Sequence, residues 1–310
     1  MRGRRLGVTL APLLALAVPL AGLVAGDAPA GSAPALAAGD REAWAGPYAI
    51  RVPRLAQATT FTGIAAVGAL FILRRGQPRR HFCTASVVHS PAGNLLITAA
   101  HCLAGLSLSG TARVAFAPGY HDGTFPYGLW SVTGEYVTSR WAARHDPNDD
   151  VAFLVVGGEL IRPRGQAAPA RAGESLEQAV GAERLSLSAP LPVEVTVIGY
   201  PDAADRPVTC SATALAFGGQ SLDQIMFECG GFTDGTSGGP LLASLGGPGG
   251  AGLIVGVIGG YEQGGDTPDV SYSPVFAANV AALYRSAVLA SAGAMARGRA
   301  APDPVPGRPR

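Results

Sequence analysis

The sequence has almost no net charge, few histidines and few cysteines. Its 23 basic residues are balanced by 22 acidic ones. A chain without a basic excess lacks the electrostatic footprint of a nucleic-acid-binding protein, so we expect no nucleic-acid partner. None of the 4 cysteines forms a Cys-x-x-Cys pair, and neither His121 nor His145 stands in a ligand-spaced cluster with carboxylates. We therefore expect no metal ion and no other cofactor.

Long apolar runs are also scarce, because only residues 6–25 approach the length that spans a bilayer. Two Ala-x-Ala sites follow this run at residues 28–30 and 35–37, and a positive segment precedes it with Arg2, Arg4 and Arg5. This arrangement predicts a signal peptide over residues 1–38 and a secreted, extracellular protein without membrane association after cleavage. An uncleaved membrane anchor is the alternative, which Pro12 and Pro19 inside the run disfavour.

The cysteines are few but even in number. Export would place them in an oxidising compartment, where four cysteines predict two disulfides. Four cysteines can be connected in three ways, and we expect the connectivity in which each cysteine pairs with its neighbour in the sequence. The expected pairs are Cys83 with Cys102, and Cys210 with Cys229.

Glycine and proline, in contrast, are abundant, at 43 and 25 residues. They separate short apolar runs that have the length and composition of β-strands. Six runs precede a connecting segment at 157–190 and six follow it; they occupy residues 67–73, 84–89, 94–98, 113–117, 131–138, 151–156, 193–199, 210–217, 225–229, 240–244, 253–258 and 270–274. This pattern predicts an all-β protein with two antiparallel six-stranded β-barrels, over residues 61–160 and 190–286.

The two ends of the chain depart from the strand pattern. Residues 39–60 predict a propeptide or a disordered lead-in. Residues 279–289 have helical periodicity and predict a short C-terminal helix, with Asn279 as its N-cap. Residues 287–310 are mostly Ala, Gly, Pro and Arg and predict a disordered tail.

Three short motifs carry residues suited to catalysis. The first, Leu-Ile-Thr-Ala-Ala-His-Cys, is an apolar strand that ends at His101. The second, Asp-Asp-Val-Ala-Phe-Leu, places Asp150 directly before a buried run, and it indicates that Asp149 is a solvated loop residue. The third, Gly-Thr-Ser-Gly-Gly-Pro, places Ser237 in a glycine-rich turn before the next strand.

A serine, a histidine and a carboxylate together can perform nucleophilic catalysis. Neutral imidazole removes the proton of the attacking hydroxyl, and a buried carboxylate orients the ring and stabilises the imidazolium. Backbone N–H groups stabilise the oxyanion, each worth about 3–4 kcal/mol of the barrier. We assign His101, Asp150 and Ser237 to the catalytic roles and the N–H groups of Gly235 and Ser237 to the oxyanion hole.

These motifs closely resemble the signature blocks of the trypsin/chymotrypsin family of serine proteases, in that family's order of His, Asp and Ser. Pro-Gly-Tyr-His at 118–121 and Pro-Tyr-Gly at 126–128 are similar to the secreted bacterial branch, which includes the glutamyl endopeptidases. The resemblance spans residues 61–286 and implies a chymotrypsin-like protease domain with a polypeptide substrate and an acyl-enzyme intermediate. It also implies that Cys83 is the partner of Cys102, and that the protein is a monomer.

The order of the candidate catalytic residues excludes two other classes of hydrolase. The Gly-x-Ser-x-Gly pattern around Ser237 also fits the α/β-hydrolases, but that fold needs its histidine after the serine. All five histidines, at 81, 89, 101, 121 and 145, precede Ser237. A subtilisin order needs a catalytic aspartate before His101, and only Asp27 and Asp40 precede it, both within the predicted processing segments.

Departures from the family pattern concern activation and specificity. Thr236 stands where many relatives have the aspartate that binds a new N-terminus, so we expect no such ion pair. By resemblance, the base of the specificity pocket is the uncharged Gly231, Asp234 lies on its rim, and the substrate-pairing strand is Gly259-Gly260-Tyr261. This segment has no histidine of the kind that selects glutamate. We therefore expect an uncharged residue at the cleavage site.

Two alternatives to a general protease stay open. One is a catalytically silent homologue that acts as a secreted binding protein, and the other is a regulator that processes only itself. Silent homologues commonly lose a catalytic residue or the glycines, and this chain has all of them. Hydrolysis that depends on the catalytic residues separates the first alternative from a protease, and turnover of added peptides separates the second.

Overall fold

The computed structural model describes residues 54–106, 112–161, 173–219, 221–244 and 252–299. Its first half contains β1 (Thr59–Thr60), β2 (Val67–Arg74), β3 (Gln77–Val88), β4 (Leu95–Thr98), β5 (Ala112–Pro118), β6 (Leu129–Val137), α1 (Ser139–Arg144) and β7 (Ala152–Ile161). Its second half contains α2 (Leu176–Val180), β8 (Arg184–Leu185), β9 (Val193–Gly199), β10 (Val208–Gly219), β11 (Leu222–Glu228), β12 (Pro240–Ala243), β13 (Leu253–Val257), β14 (Val270–Pro274) and α3 (Ala278–Arg299). All twelve predicted strands are present, and the predicted all-β fold is confirmed.

The first barrel is closed and antiparallel. Its six strands follow the order β2-β3-β4-β7-β6-β5, and β5 pairs with β2 to complete the ring. Leu70, Leu96 and Phe116 are completely buried in one of its apolar clusters. The barrel therefore has the inward-facing apolar positions that its short alternating runs predict.

The second sheet has eight strands where six were predicted. The pairing order is β14-β11-β10-β9-β12-β13-β8, and β1 pairs with β10. The segment that follows β13 contacts β14, because the Gly259 N–H donates to the Tyr272 carbonyl at 2.9 Å. The additional strands, β1 and the parallel β8, have two residues each. Such short strands show no alternation, so the sequence pattern does not indicate them.

The lead-in segment is partly incorporated into this second sheet. The Ala58 N–H donates to the Gly230 carbonyl and the Gly230 N–H donates to the Ala56 carbonyl, both at 2.8 Å. Residues 56–60 are thus part of the folded sheet rather than a disordered lead-in. The rest of the predicted propeptide and the predicted signal peptide lie outside the described residues.

The C-terminal helix is longer than predicted. It extends to Arg299, so residues 287–299 are helical and not a disordered tail. Ala287 and Ser291 are buried, and a run of small and straight-chain residues continues a helix once its first turns are anchored. Asn279 is not the N-cap, because the helix already begins at Ala278; its side chain instead donates to Asp149 Oδ1 at 2.9 Å. Residues 300–310 lie outside the described residues.

The barrels share one apolar cluster across their interface. It includes Phe153 of the first barrel, Ile198 and Leu242 of the second, and Leu283 of α3. The disulfides join the two predicted pairs, Cys83–Cys102 and Cys210–Cys229. Within the described segments, no helix has the length and apolarity needed to cross a membrane.

Candidate active site

His101 lies at the end of a buried strand. β4 leads into a short 3₁₀ turn, Ala100–Leu103, in which Ala100, Cys102 and Leu103 are buried. The Cys83–Cys102 disulfide ties this turn to β3 of the same barrel. The backbone around the imidazole is therefore held on both sides, although the His101 side chain itself remains 12% exposed.

Asp150 receives three hydrogen bonds at a fully buried carboxylate. Its Oδ1 accepts the His101 backbone N–H at 2.8 Å, and its Oδ2 lies 2.7 Å from His101 Nδ1. The Gly260 N–H, from the second barrel, donates to the same Oδ2 at 2.7 Å. A carboxylate with this many donors is compensated for its burial, and its contact with Nδ1 leaves Nε2 as the His101 ring nitrogen that does not face it.

Asp149 is buried, which corrects its interpretation as a solvated loop residue. Its side chain is 0% exposed, and Arg140 Nε lies 3.1 Å from its Oδ2. The Asn279 amide donates to its Oδ1. The two adjacent aspartates therefore have separate tasks: Asp150 faces His101, and Asp149 joins α1 and α3 beneath it.

Ser237 lies in a loop of the second barrel that is bound to the first barrel. The Ser237 carbonyl accepts the Thr84 N–H of β3 at 2.8 Å, and the Gly238 N–H donates to the Ile258 carbonyl at 2.7 Å. Gly238 has φ +80°, and a Cβ there would lie 2.1 Å from Thr98 Oγ1. Only glycine fits this contact, which explains the residue after the serine.

The assigned oxyanion donors are unoccupied. Among the described residues, the N–H groups of Gly235 and Ser237 have no hydrogen-bond acceptor. Gly235 is buried with φ +91°, a backbone conformation that favours glycine. Two free N–H groups beside the serine are what an oxyanion requires.

His101 and Ser237 line one cavity of about 760 Å³ at the junction of the two barrels. No hydrogen bond joins the imidazole to the Ser237 hydroxyl in the described part of the chain, and such catalytic hydrogen bonds are often long before a substrate binds. The other lining residues include Phe232, Thr233, Thr236, Ile258, Gln263, Gly264, Thr267, Pro268 and Ser271. The cavity is thus a cleft with both His101 and Ser237 on its wall.

Four carboxylates line this cleft: Asp202, Asp234, Glu262 and Asp266. Of the predicted pocket residues, only Asp234 lies among them. Gly231, Gly259, Gly260 and Tyr261 do not line the cavity. The other three carboxylates were not predicted, because nothing in their local pattern distinguishes a cleft wall from an ordinary solvated loop.

The predicted substrate strand, Gly259-Gly260-Tyr261, lies between the end of a strand and a 3₁₀ turn. β13 ends at Val257, and Gly260 has φ +82° before the 3₁₀ turn Tyr261–Gly264. The N–H groups of Gly260 and Tyr261 donate to Asp150 Oδ2 and Gln224 Oε1. These N–H groups are therefore used inside the protein and are not offered to a substrate.

The loop at residues 201–206 forms another wall and is held by the first barrel. His81 Nε2 lies 3.0 Å from the Ala204 carbonyl, and the Tyr120 hydroxyl donates to Asp205 Oδ1 at 2.6 Å. Arg80 forms an ion pair with Asp202 at 2.9 Å. Burial lowers the pKa of His81, although the Ala204 carbonyl and nearby Asp205 oppose this shift. Burial, followed by the hydrogen bond to Asp205, raises the pKa of Tyr120.

One group of potential metal ligands occurs among the described residues: Cys83, His101 and Cys102. The two sulfur atoms are bonded to each other. Neither can act as a thiolate ligand, which leaves a single imidazole and no ligand set for a metal ion.

Comparisons with known proteins identify the family of this chain. The model of the trypsin-like peptidase domain matches residues 83–248, more than half of the chain. The thermostable serine protease AL20, from an extremophilic microorganism, is 26% identical with a TM-score of 0.57, over 73% of this chain and 97% of that chain. No curated protein is detectably similar in sequence.

Two further structures share the fold. Protease Anisep from Arthrobacter nicotinovorans is 24% identical with a TM-score of 0.59, over 75% of this chain and 99% of that chain. A Glu endopeptidase is 16% identical with a TM-score of 0.54, over 76% of this chain and 97% of that chain. The predicted resemblance is confirmed: this chain belongs to the trypsin-like peptidase family and is a serine endopeptidase.

Proposed function

We propose that this enzyme cleaves polypeptides outside the cell through a triad of His101, Asp150 and Ser237. The observation that carries the proposal is the buried Asp150 carboxylate, which binds both the backbone N–H and the Nδ1 of His101. This arrangement fixes the ring tautomer, so Nε2 is the nitrogen that accepts the proton of the nucleophile. His101 shares its cleft with Ser237, which supplies the nucleophile.

The chemistry follows in two halves. Nε2 takes the Ser237 hydroxyl proton as Oγ attacks the peptide carbonyl carbon, and the N–H groups of Gly235 and Ser237 stabilise the oxyanion. The imidazolium then gives its proton to the leaving amine as the C–N bond breaks and an acyl-enzyme remains. Water, deprotonated by the same nitrogen, attacks the ester, and the Ser237 hydroxyl is restored with release of the acid.

The proposed mature enzyme does not need an N-terminal ion pair for activity. Thr236, which occupies the position of the usual aspartate, is buried and donates its hydroxyl to the Thr233 carbonyl at 2.7 Å. Its Cβ packs closely over Gly199. The position of the usual aspartate therefore carries no charge that a new N-terminus could pair with. We expect chains that begin at residue 39 and at residue 54 to be equally active, since both retain β1; activity restricted to one defined N-terminus would contradict this.

Export is part of the same proposal. The segment 1–38 acts as the signal peptide, residues 39–53 precede the protease domain, and the mature enzyme is a monomer. The two disulfides support an oxidising destination. N-terminal sequencing of secreted protein locates the cleavage site, and retention of the full-length chain in the membrane would favour the anchor alternative.

The experiment that tests the triad is labelling with a fluorophosphonate probe, beside Ser237→Ala, His101→Ala and a peptide-turnover assay. We expect labelling at Ser237 alone, loss of labelling in both variants, and turnover of added peptides by the wild type. A folded protein that is not labelled would be a catalytically silent homologue. Labelling and N-terminal clipping without peptide turnover would indicate a regulator that processes only itself.

A further inference from the structure

Gln224 is a completely buried amide in β11 with no place in the proposed triad. Its Oε1 accepts the Tyr261 N–H at 3.0 Å. Its Nε2 donates to Asn148 Oδ1 at 2.9 Å and lies 3.2 Å from the Pro147 carbonyl. A buried amide with both ends paired is a specific link, because each lost partner leaves a buried polar group unsatisfied.

The two segments that Gln224 joins are the ones that hold Asp150. The 3₁₀ turn Pro147–Asp149 directly precedes Asp150 in the chain. On the other side, the Tyr261 N–H is adjacent to the Gly260 N–H, which donates to Asp150 Oδ2. Three hydrogen bonds and the intervening backbone therefore form a closed circuit from Asp150 through Gly260, Tyr261, Gln224 and Asn148 back to Asp150.

The circuit is tight at its narrowest point. A Cβ on Gly260 would lie 2.0 Å from Gln224 Oε1, so the amide packs directly against this peptide. Asn148 is held in turn, since its Nδ2 donates to the Ser221 carbonyl and its Oδ1 accepts the Asp223 N–H. A side chain of the second barrel thus contacts the turn that precedes the first barrel's aspartate.

We propose that Gln224 is a positioning residue that orients the Asp150 carboxylate toward His101. It acts by holding the Gly260–Tyr261 peptide and the Pro147–Asn148 turn at a constant separation. The inference rests on the proposed triad, in which Asp150 orients the imidazole. It adds a residue from a strand with no catalytic motif.

The test replaces Gln224 with methionine, which has similar length and no hydrogen-bonding amide. We expect Gln224→Met to lower kcat about tenfold with little change in KM, since removing the orienting carboxylate itself costs about 10⁴. We also expect the NMR signal of the His101 Nδ1 proton, sharp in the wild type, to exchange faster with solvent. Val195→Ala, in the core of the second barrel, serves as the control for destabilisation without loss of this circuit.

The NMR readout does not depend on turnover, so the two proposals fail separately. The absence of peptide hydrolysis by the wild type would overturn the proposed function. An unchanged exchange rate of the His101 Nδ1 proton in Gln224→Met would overturn the positioning role. Equal effects in Gln224→Met and Val195→Ala would also overturn it. If Gln224→Met does not fold, Asn148→Ala, which removes the acceptor of the Gln224 amide, is expected to show the same changes to a smaller degree.

Discussion

At the scale of single residues, we expect substitutions of the two adjacent aspartates to affect catalysis and stability separately. Asp150→Asn keeps the shape of the side chain but favours the wrong imidazole tautomer, so we expect kcat to fall about 10⁴-fold. Asp149→Asn keeps an acceptor for Asn279 and weakens only the pairing with Arg140. We expect that variant to retain kcat and to unfold at lower urea concentration. Steady-state kinetics with urea denaturation check both, and similar losses of kcat would contradict the assignment.

Gly238 is the second residue whose substitution is decisive. Alanine there would place Cβ 2.1 Å from Thr98 Oγ1 and 2.2 Å from the Thr84 carbonyl, at φ +80°. We expect Gly238→Ala to lose about 1–3 kcal/mol of folding free energy and to react slowly with the fluorophosphonate probe. Gly219→Ala is the matched control, because its Cβ would meet no atom within 4 Å. The prediction fails if the two variants behave alike.

At the scale of elements, the loop at 201–206 depends on a neutral His81. Because its native pKa is lowered from 6.5, the unfolded chain binds a proton more readily than the native protein. The contribution of His81 is therefore complete above about pH 6.5 and is lost as the pH falls toward the native value. Asp205 and Asp202 raise this pKa and Arg80 lowers it, but burial dominates.

His81→Phe tests this pH dependence while keeping an aromatic ring against Phe71 and Tyr120. We expect it to be less stable at pH 8, by about 1 kcal/mol for the lost hydrogen bond to Ala204. We also expect it to lose less stability than the wild type between pH 7 and pH 5. Urea midpoints measured across this range decide the matter, and parallel curves for the two proteins would exclude the role of His81.

The two disulfides enclose sequence intervals of equal length, 19 residues, but differ in what they support. Removing either is expected to cost about 3 kcal/mol through the greater freedom of the unfolded chain. Cys83→Ala/Cys102→Ala should also reduce activity per folded molecule, since Cys102 adjoins His101. Cys210→Ala/Cys229→Ala should not. Urea denaturation combined with active-site titration separates stability from activity, and equal activity losses would contradict this distinction.

At the scale of the whole molecule, charge is distributed unevenly although the total is balanced. Asp234, Glu262 and Asp266 line the cleft, and within the described segments none of them forms an ion pair with a basic residue. Clefts lined by one sign of charge attract ligands of the opposite sign. The uncharged Gly231 predicts an uncharged cleavage residue, whereas from the carboxylates of the cleft we expect a preference for lysine or arginine in the substrate and against glutamate.

Peptide libraries that differ only in charge test this preference. We expect a higher kcat/KM for cationic peptides than for anionic ones. This preference should decline from 0.1 M to 1 M salt, because the Debye length shortens. Glu262→Gln/Asp266→Asn should reduce the preference about two- to fivefold per carboxylate, whereas Glu194→Gln/Glu228→Gln, with the same change in net charge outside the cleft lining, should not. A salt-independent preference, or one for glutamate, would contradict the expectation.

Local pattern was sufficient for much of this protein. Apolar runs between glycines and prolines predict the twelve strands of the two barrels, because strand length and composition are properties of consecutive residues. The identity and order of His101, Asp150 and Ser237 are likewise visible in three short motifs. The family follows from those motifs, and the disulfides are the two local pairs that we expected.

Tertiary structure alone decided the features that depend on distant residues. Gly260 and Asp150 are 110 positions apart, and Gln224 and Asn148 are 76 apart, so no local pattern links them. The burial of Asp149, the carboxylates of the cleft and the pairing of β1 with β10 are also consequences of packing between separate segments. Sequence determined which groups are present. The junction of the two barrels determined which of them meet, since hydrogen bonds and desolvation depend on distances in space.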